Sequence, residues 1–188
     1  MNEKPILFSG PMVQAILAGV KSQTRRVIKP EWSRCLDLED EDDQEKALQQ
    51  CPYVRLGSFL WVRETWYQTT NKDFTPGQVI YKADGWEHAD GSKMYWRPSI
   101  HMPRSASRID LKITAVWIEH LQDITKANAR DEGMSCAFNG GTYDFSIGPY
   151  DAYTANFRRL WDAINAKRGY GWDVNPWVWV IRFMKIRP

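Results

Sequence analysis

Apolar residues recur along this chain with two different periods, and these periods predict where its strands and helices lie. Ile109, Leu111, Ile113, Ala115 and Trp117 alternate with more polar positions, which predicts a strand over 109–121. Short runs rich in β-branched and aromatic residues predict further strands at 5–8, 24–29, 59–67, 79–82 and 176–186. The last of these runs is apolar throughout its centre, so we expect it to be buried on both faces.

Helical spacing is clearest near the C-terminus, where Tyr153, Phe157, Leu160, Trp161 and Ile164 predict an amphipathic helix over 150–166. Two other helices are predicted by their end signals, one from an N-capping Ser9 to Gly19 and one from Asp123 or Thr125 to Gly133. The acidic run 37–46 reads as a solvated loop, with a possible helical piece at 41–50.

The order of these elements predicts a β-rich α+β fold, such as a small barrel with two or three helices packed against it. A length of 188 residues favours a single domain over 1–188. We expect an acidic insertion near 37–49 and a long loop near 84–104, where Gly, Asp, Ser and Pro residues concentrate.

The net charge of +2 is too small to indicate nucleic-acid binding by itself. Without the acidic insertion, however, the rest of the chain is clearly basic. Three cysteines in no C-x-x-C pattern argue against a disulfide framework or a zinc site. The first residues lack the apolar stretch of a signal peptide, and no segment is apolar enough to span a membrane. We therefore expect a cytoplasmic protein without metal or cofactor, whose oligomeric state the sequence leaves unknown.

Familiar catalytic motifs are absent from the sequence, which contains no phosphate-binding glycine loop and no H-E-x-x-H pair. Each of the three histidines stands alone, and a lone histidine is more often structural than catalytic. His101 is the exception to keep open, because Arg97 and Arg104 flank it in a proline-containing loop.

A turn with candidate chemistry follows the first predicted helix. Lys21 precedes Thr24 by three residues, so the two side chains can approach each other in a tight helix-turn-strand connection. Because Arg25 and Arg26 are close, we expect the pKa of Lys21 to be lowered. A neutral lysine can act as a general base toward a threonine hydroxyl, which is otherwise a poor nucleophile. The competing interpretation is a basic turn in solvent.

Charges in unusual positions add further candidates. Glu132 lies in the last turn of its predicted helix, where the helix dipole disfavours an anion. Arg63 and Glu64 are adjacent in a predicted strand, so one of the two side chains points inward and needs a partner. The sequence does not decide which.

The turn "GVKSQTRR" (Gly19–Arg26) resembles the G-x-K-[ST]-x-T-x-R motif of the activating-signal-cointegrator homology (ASCH) domain, a PUA-like small β-barrel. The segments "ILFSGPMVQAILAG", "LWVRETW", "WRPSIHMPR", "LQDITKANARDEG" and "GYGWDVNPWVWVI" are similar to a phage- and prophage-type subgroup of that family. The resemblance spans nearly the whole chain, apart from the acidic insertion and the loop near 135–149.

Some ASCH proteins that this chain resembles are amidohydrolases acting on N(4)-acetylcytidine and related acylated pyrimidines. The resemblance implies Lys21, Thr24 and Glu132 as the catalytic set, with Asp131 as a reserve for the glutamate. Arg26 shares a strand face with Thr24 and can stabilise an oxyanion. Further residues expected to bind substrate are Arg63, Glu64, Trp66, Arg97 and His101.

Two alternatives stay open, since other ASCH members resemble RNA-binding modules or ribonucleases. A module without chemistry would bind single-stranded RNA or DNA through arginines and through aromatic rings that stack on bases. The candidates for this role are Arg25, Arg26, Arg63, Arg97, Arg104, Trp66 and Trp96. Salt-sensitive binding would support the binding module, and RNA cleavage that survives a chelator would support the ribonuclease.

Overall fold

A computed structural model of the chain describes residues 3–30, 38–52, 57–69, 77–86, 93–135 and 151–186. Its strands are β1 (Glu3–Leu7), β2 (Gln23–Val27), β3 (Phe59–Arg63), β4 (Trp66–Gln68), β5 (Val79–Tyr81), β6 (Asp110–His120) and β7 (Trp177–Ile186). Its helices are α1 (Gly10–Leu17), α2 (Glu41–Gln49), α3 (Lys126–Asp131) and α4 (Ala152–Asn165). Five strands are hydrogen-bonded in the order β1-β3-β6-β7-β2, and β4 pairs with β5. The predicted α+β class is confirmed.

The chain divides into two compact units, each assembled from separate segments. The first unit comprises Met1–Gly19, Ser58–Lys112 and Lys185–Pro188, and the second comprises Val20–Gly57 and Ile113–Met184. Strand β6 contributes its first residues to the first unit and the remainder to the second. The single domain expected from the length stays a prediction.

In the first unit, β1 runs parallel to β3, and β3 runs antiparallel to the start of β6. Ile6, Leu60 and Leu111 are buried along these strands. Helix α1 begins after Ser9 and has Pro11 in its first turn, as predicted, but the Ser9 side chain makes no capping hydrogen bond. Gly19, which follows the helix, has φ +73°, a left-handed conformation that favours glycine.

The strand predicted over 59–67 is two strands in the structure, so that prediction is wrong. The first strand ends at Arg63, and the backbone N–H of the next residue, Glu64, donates to the sulfur of Met102 at 3.3 Å. The chain then resumes as β4, which pairs with β5 through Trp66 and Tyr81. The prediction missed the break because it depends on partners distant in the sequence.

The second unit has its core between helix α4 and strand β7. Strand β2 is antiparallel to β7 from Gln23 opposite Arg182 to Val27 opposite Val178. Residues 178–181 are all buried, which confirms the apolar centre predicted for the last strand. Buried apolar side chains around it are Leu121, Ile124, Ala129, Phe157, Trp161 and Trp172. The stripe predicted for the last helix is shorter than expected, because Ile164 is exposed.

The acidic insertion contains a helix rather than only a loop. Asp40 caps α2 by accepting hydrogen bonds from the N–H groups of Asp42 and Asp43 at 2.9 and 3.2 Å. The acidic first turn is favourable because carboxylates there meet the positive end of the helix dipole. With α2, the described residues contain four α-helices, one more than the two or three expected. The possible helical piece at 41–50 is confirmed.

In the described part of the loop predicted near 84–104 and just after it, short 3₁₀ turns occupy Ser99–His101 and Arg104–Ala106. Residues 87–92 of that loop, residues 136–150 of the loop predicted after Gly133, Cys35 and Cys136 lie outside the described residues. Cys51 is a free, buried thiol. None of the helices in the described part of the chain has the length and apolarity needed to cross a membrane.

Candidate functional site

Lys21 lies in the turn before β2, and backbone hydrogen bonds hold this turn on two sides. The N–H of Ser22 donates to the carbonyl oxygen of Asp131 at 2.8 Å, which joins the turn to the end of α3. The carbonyl oxygen of Ser22 accepts from the N–H of Phe183 at 2.8 Å, which joins it to β7. The position of Lys21 is therefore fixed by a helix end and a strand at once.

The Lys21 side chain is buried, with the residue 3% exposed, and its ammonium has three acceptors. Nζ donates to the carbonyl oxygen of Gln23 at 2.7 Å, to the carbonyl oxygen of Glu132 at 2.8 Å and to Glu132 Oε2 at 2.8 Å. The interpretation of Lys21 as a basic turn in solvent is thus wrong, because the side chain points into the protein.

Burial lowers the pKa of Lys21 below its ordinary value of 10.5, because the charged form loses its hydration. The carboxylate of Glu132 opposes this shift, while the cations of Arg26 and Arg25 add to it. The direction predicted from the sequence is confirmed, although desolvation rather than the arginines is the main cause.

Glu132 follows the last residue of α3, where the sequence placed it. Its carboxylate is 4% exposed and has two cationic partners, with Oε2 bound by Lys21 and Oε1 by Arg25 Nη1 at 3.1 Å. These contacts offset the unfavourable position of an anion at a helix C-terminus. The reserve candidate Asp131 is instead half-buried and lies 3.9 Å from Arg182.

Arg25 joins this pair to a second carboxylate, an arrangement that the sequence did not predict. Its Nε donates to Glu119 Oε1 at 2.9 Å, and its Nη2 reaches the same oxygen. Trp117 Nε1 donates to Glu119 Oε2 at 2.7 Å. The amide of Gln23 lies beside the guanidinium and, with its oxygen turned toward it, accepts from Nη1 at 2.8 Å. The buried network therefore contains two cations and two anions.

Thr24 is also buried, but it is not hydrogen-bonded to Lys21 in the part of the chain that the structure describes. Neighbouring residues of a strand point to opposite faces, so the Thr24 side chain lies on the face opposite Arg25. Arg26 shares the face of Thr24, as the sequence predicted, and is half-buried. The structure brings Lys21 and Glu132 together, whereas Thr24 is hydrogen-bonded to neither of them among the described residues.

The other substrate-binding candidates belong to the first unit. Glu64 is 1% exposed and forms a two-point ion pair with Arg108, whose Nε and Nη2 lie 2.9 and 3.0 Å from its oxygens. Glu64 is therefore the inward-pointing member of the Arg63/Glu64 pair. Burial raises its pKa, although Arg108 opposes the shift. Arg108 also binds Asp84, so this cluster has the features of a structural ion pair.

Four further candidates belong to the first unit, namely Arg63, Trp66, Arg97 and His101. The Arg63 guanidinium lies 4.6 Å from the centre of the Trp61 ring, and that of Arg97 lies 5.0 Å from the centre of the Trp66 ring. Trp66 is only 3% exposed, whereas Arg97 and His101 are exposed. Arg97 and His101 are thus accessible from solvent, Arg63 is half-buried, and the Trp66 ring is buried.

A metal centre has no candidate ligands in the residues that the structure describes, where no three His, Cys, Asp or Glu side chains cluster suitably. The polar groups of the Lys21 network instead hold one another through hydrogen bonds. Such an arrangement can transfer protons and stabilise charge without a metal ligand.

Comparisons with known proteins identify no family for this chain. No protein-family model and no curated protein matches it. Among solved structures, the ASCH domain from Lactobacillus crispatus JV V101 is similar with a TM-score of 0.47 and 10% identity, over 98% of this chain and 79% of that chain. Protein EF3133 from Enterococcus faecalis V583, of family DUF984, is similar with a TM-score of 0.44 and 10% identity, over 99% and 76%. With TM-scores below 0.5, these likenesses establish neither a family nor an activity.

Proposed function

We propose that this protein is an amidohydrolase that removes the acyl group from the exocyclic nitrogen of a modified cytosine nucleoside such as N(4)-acetylcytidine. The observation that carries the proposal is the buried ion pair of Lys21 with Glu132, 2.8 Å long, in the turn that bears the ASCH-like motif. Because its pKa is lowered, the buried Lys21 gives up its proton more readily than an ordinary lysine, which suits it to proton transfer.

In the proposed reaction, the Thr24 hydroxyl comes within reach of Lys21 when the substrate binds. Deprotonated Lys21 then removes the hydroxyl proton, and the oxygen attacks the acyl carbon. The carbon–nitrogen bond then breaks, and the exocyclic nitrogen takes the proton through Lys21 or Glu132, which yields cytidine and an acyl ester of Thr24. Water hydrolyses this ester to the free acid and restores the hydroxyl. Arg26, on the face of Thr24, stabilises the negative charge that develops on the carbonyl oxygen.

The substrate-binding candidates of the first unit have no step in this reaction. Arg97 and His101 are exposed and Arg63 is half-buried, and their role in binding substrate stays a prediction. Glu64 and Trp66 are buried, and Glu64 is held by Arg108, which favours a structural role for both. No cofactor enters the reaction.

The decisive experiment is release of cytidine from N(4)-acetylcytidine, with wild type beside Lys21→Met. Methionine keeps most of the length of the side chain and removes the base, so release should be lost while the circular dichroism spectrum is retained. Lys167→Ala, at an exposed lysine in a turn of the same unit, serves as the control and should keep full activity. Equal turnover by wild type and Lys21→Met would contradict the proposal.

The second candidate is a nucleic-acid-binding module without chemistry, and the observation in its favour is the exposed Arg97 with the half-buried Arg63. Several of the residues expected to bind nucleic acid are instead held in ion pairs within the protein. Arg25 is buried between two glutamates, and Arg104 pairs with Glu3 and Asp110. Oligonucleotide affinity that falls steeply with salt, in a protein inactive on N(4)-acetylcytidine, would favour this candidate. Degradation of RNA in the presence of a chelator would favour the ribonuclease alternative.

A further inference from the structure

Arg25 lies between two carboxylates, those of Glu132 and Glu119, and binds both. Its Nη1 binds Glu132 Oε1 at 3.1 Å, while Nε and Nη2 bind Glu119 Oε1 on strand β6, which β7 separates from β2 in the sheet. The guanidinium is wholly buried, and its centre lies 5.7 Å from the centre of the Phe157 ring. Because all these partners are on separate elements, the direction of the Arg25 side chain is fixed before any substrate binds.

We propose that Arg25 is a positioning residue for the Lys21–Glu132 pair: it holds one oxygen of Glu132, leaves the other for Lys21, and remains as the cation beside Glu132 when Lys21 is neutral. This inference rests on the proposed function, in which Lys21 acts as a base, and it adds a residue outside the ASCH-like motif positions.

The charge balance of the network explains why a second cation is useful. When Lys21 loses its proton, Glu132 would be a buried carboxylate without a counter-charge if Lys21 were its sole partner. An arginine guanidinium keeps its charge in proteins, so Glu132 keeps a cationic partner in both states of Lys21. The same positive charge repels the ammonium of Lys21 and favours its neutral form.

Other charged groups around Lys21 set the background for this effect. Arg26 on β2 acts on the ammonium in the same direction as Arg25, and Glu132 at the end of α3 acts in the opposite direction. Glu119 on β6 binds Arg25, and the half-buried Asp131 at the end of α3 pairs with the exposed Arg182 on β7. Arg25 differs from the rest because it alone bridges Glu132 and Glu119 among the described residues.

The test uses two substitutions with opposite expected effects on the titration of Lys21. Arg25→Gln removes a positive charge, so the pKa of Lys21 should rise. Glu119→Gln removes a negative charge and leaves Arg25 bound to Glu132, so the pKa of Lys21 should fall. The titration is followed by NMR of protein labelled with carbon-13 at lysine Cε, with the Lys21 signal assigned by its loss in Lys21→Met. The double variant Arg25→Gln/Glu119→Gln removes one charge of each sign and should lie between the two.

The rate of cytidine release gives a second readout. The acid limb of the pH–rate profile should move to higher pH in Arg25→Gln and to lower pH in Glu119→Gln. At a fixed pH on that limb, the rate changes tenfold for each unit by which the pKa of Lys21 shifts. Shifts in these opposite directions support the inference, whereas an unchanged Lys21 titration in both folded variants, or shifts of the same sign, overturns it. If Arg25→Gln does not fold, Glu119→Gln and the double variant still decide. A wild type that releases no cytidine overturns the proposed function, and the NMR titration then tests Arg25 separately.

Discussion

Replacing Glu132 by glutamine removes the anion that two buried cations share, and the structure allows the cost of this change to be worked out. The Lys21 ammonium would keep two backbone carbonyl acceptors but lose its counter-ion, while Arg25 would keep Glu119. Loss of one partner from a buried ion pair costs about 3–5 kcal/mol of unfolding free energy. We expect Glu132→Gln to lose an amount in this range at pH 7.

The same reasoning gives the pH dependence of that loss. In Glu132→Gln the pKa of Lys21 falls further, because burial is no longer opposed by the carboxylate. Between this lowered pKa and the ordinary lysine value of 10.5, the unfolded chain binds more protons at Lys21 than the folded protein does. The unfolding free energy of the variant should therefore rise with pH in this window, by up to about 1.4 kcal/mol per pH unit for one proton.

Urea denaturation of wild type and variant at pH 7 and at pH 9.5 measures both quantities. Asp131→Asn is the matched control, since it removes the adjacent carboxylate, whose contact with Arg182 is at the surface. That control should lose less than about 1 kcal/mol. A loss in Glu132→Gln that is below about 1 kcal/mol, or the same at the two pH values, would show that Lys21 is not held as a buried cation by Glu132.

Three further outcomes follow from the contacts described above. Thr24→Val should lower cytidine release by a factor on the order of a thousand or more, with Thr24→Ser active, if the hydroxyl is the nucleophile; equal rates for valine and threonine would leave water as the attacking group. Any oligonucleotide binding through Arg63 and Arg97 should show a salt slope smaller by about two after both are changed to glutamine, as measured by fluorescence anisotropy. Arg108→Met should cost about 3–5 kcal/mol at pH 8 because it leaves Glu64 buried as an unpaired anion. Because burial raises the pKa of Glu64 above its ordinary value of 4.5, the folded variant binds the Glu64 proton more tightly than the unfolded chain does. The unfolding free energy of the variant therefore falls as the pH rises from 4.5 through the raised pKa, and urea denaturation at pH 5 should show a smaller loss.

Local patterns predicted the elements whose burial is periodic. Helix α4 buries Phe157 and Trp161 on one face, and the centre of β7 is buried on both, so both left a clear signal in the sequence. Helix α2 has only Ala47 buried, and without an apolar stripe its helical character rests on capping and charge. The break after Arg63 left no local signal at all.

The candidate site likewise contains some residues that local sequence patterns indicated and others that they did not. Lys21 was indicated by the motif, and Glu132 by its position against the helix dipole, although 111 positions separate the two. The bond between Arg25 and Glu119 spans 94 positions, and no local rule distinguishes Arg25 from the adjacent Arg26. Which of two neighbouring arginines enters a buried network depends on the face of β2 that the rest of the unit covers.

Helix α3 has only six residues, too few to persist as an isolated helix in water. Its C-terminal carbonyl groups accept from Ser22 N–H and from Lys21 Nζ, so the turn before β2 contributes to keeping the helix folded. Local opening of α3 would release Glu132 and with it the carboxylate and carbonyl acceptors that Glu132 offers to Lys21. The amide protons of Ser22 and Glu132 should therefore exchange with solvent at similar rates, and the lysine and the carboxylate would be gained or lost together.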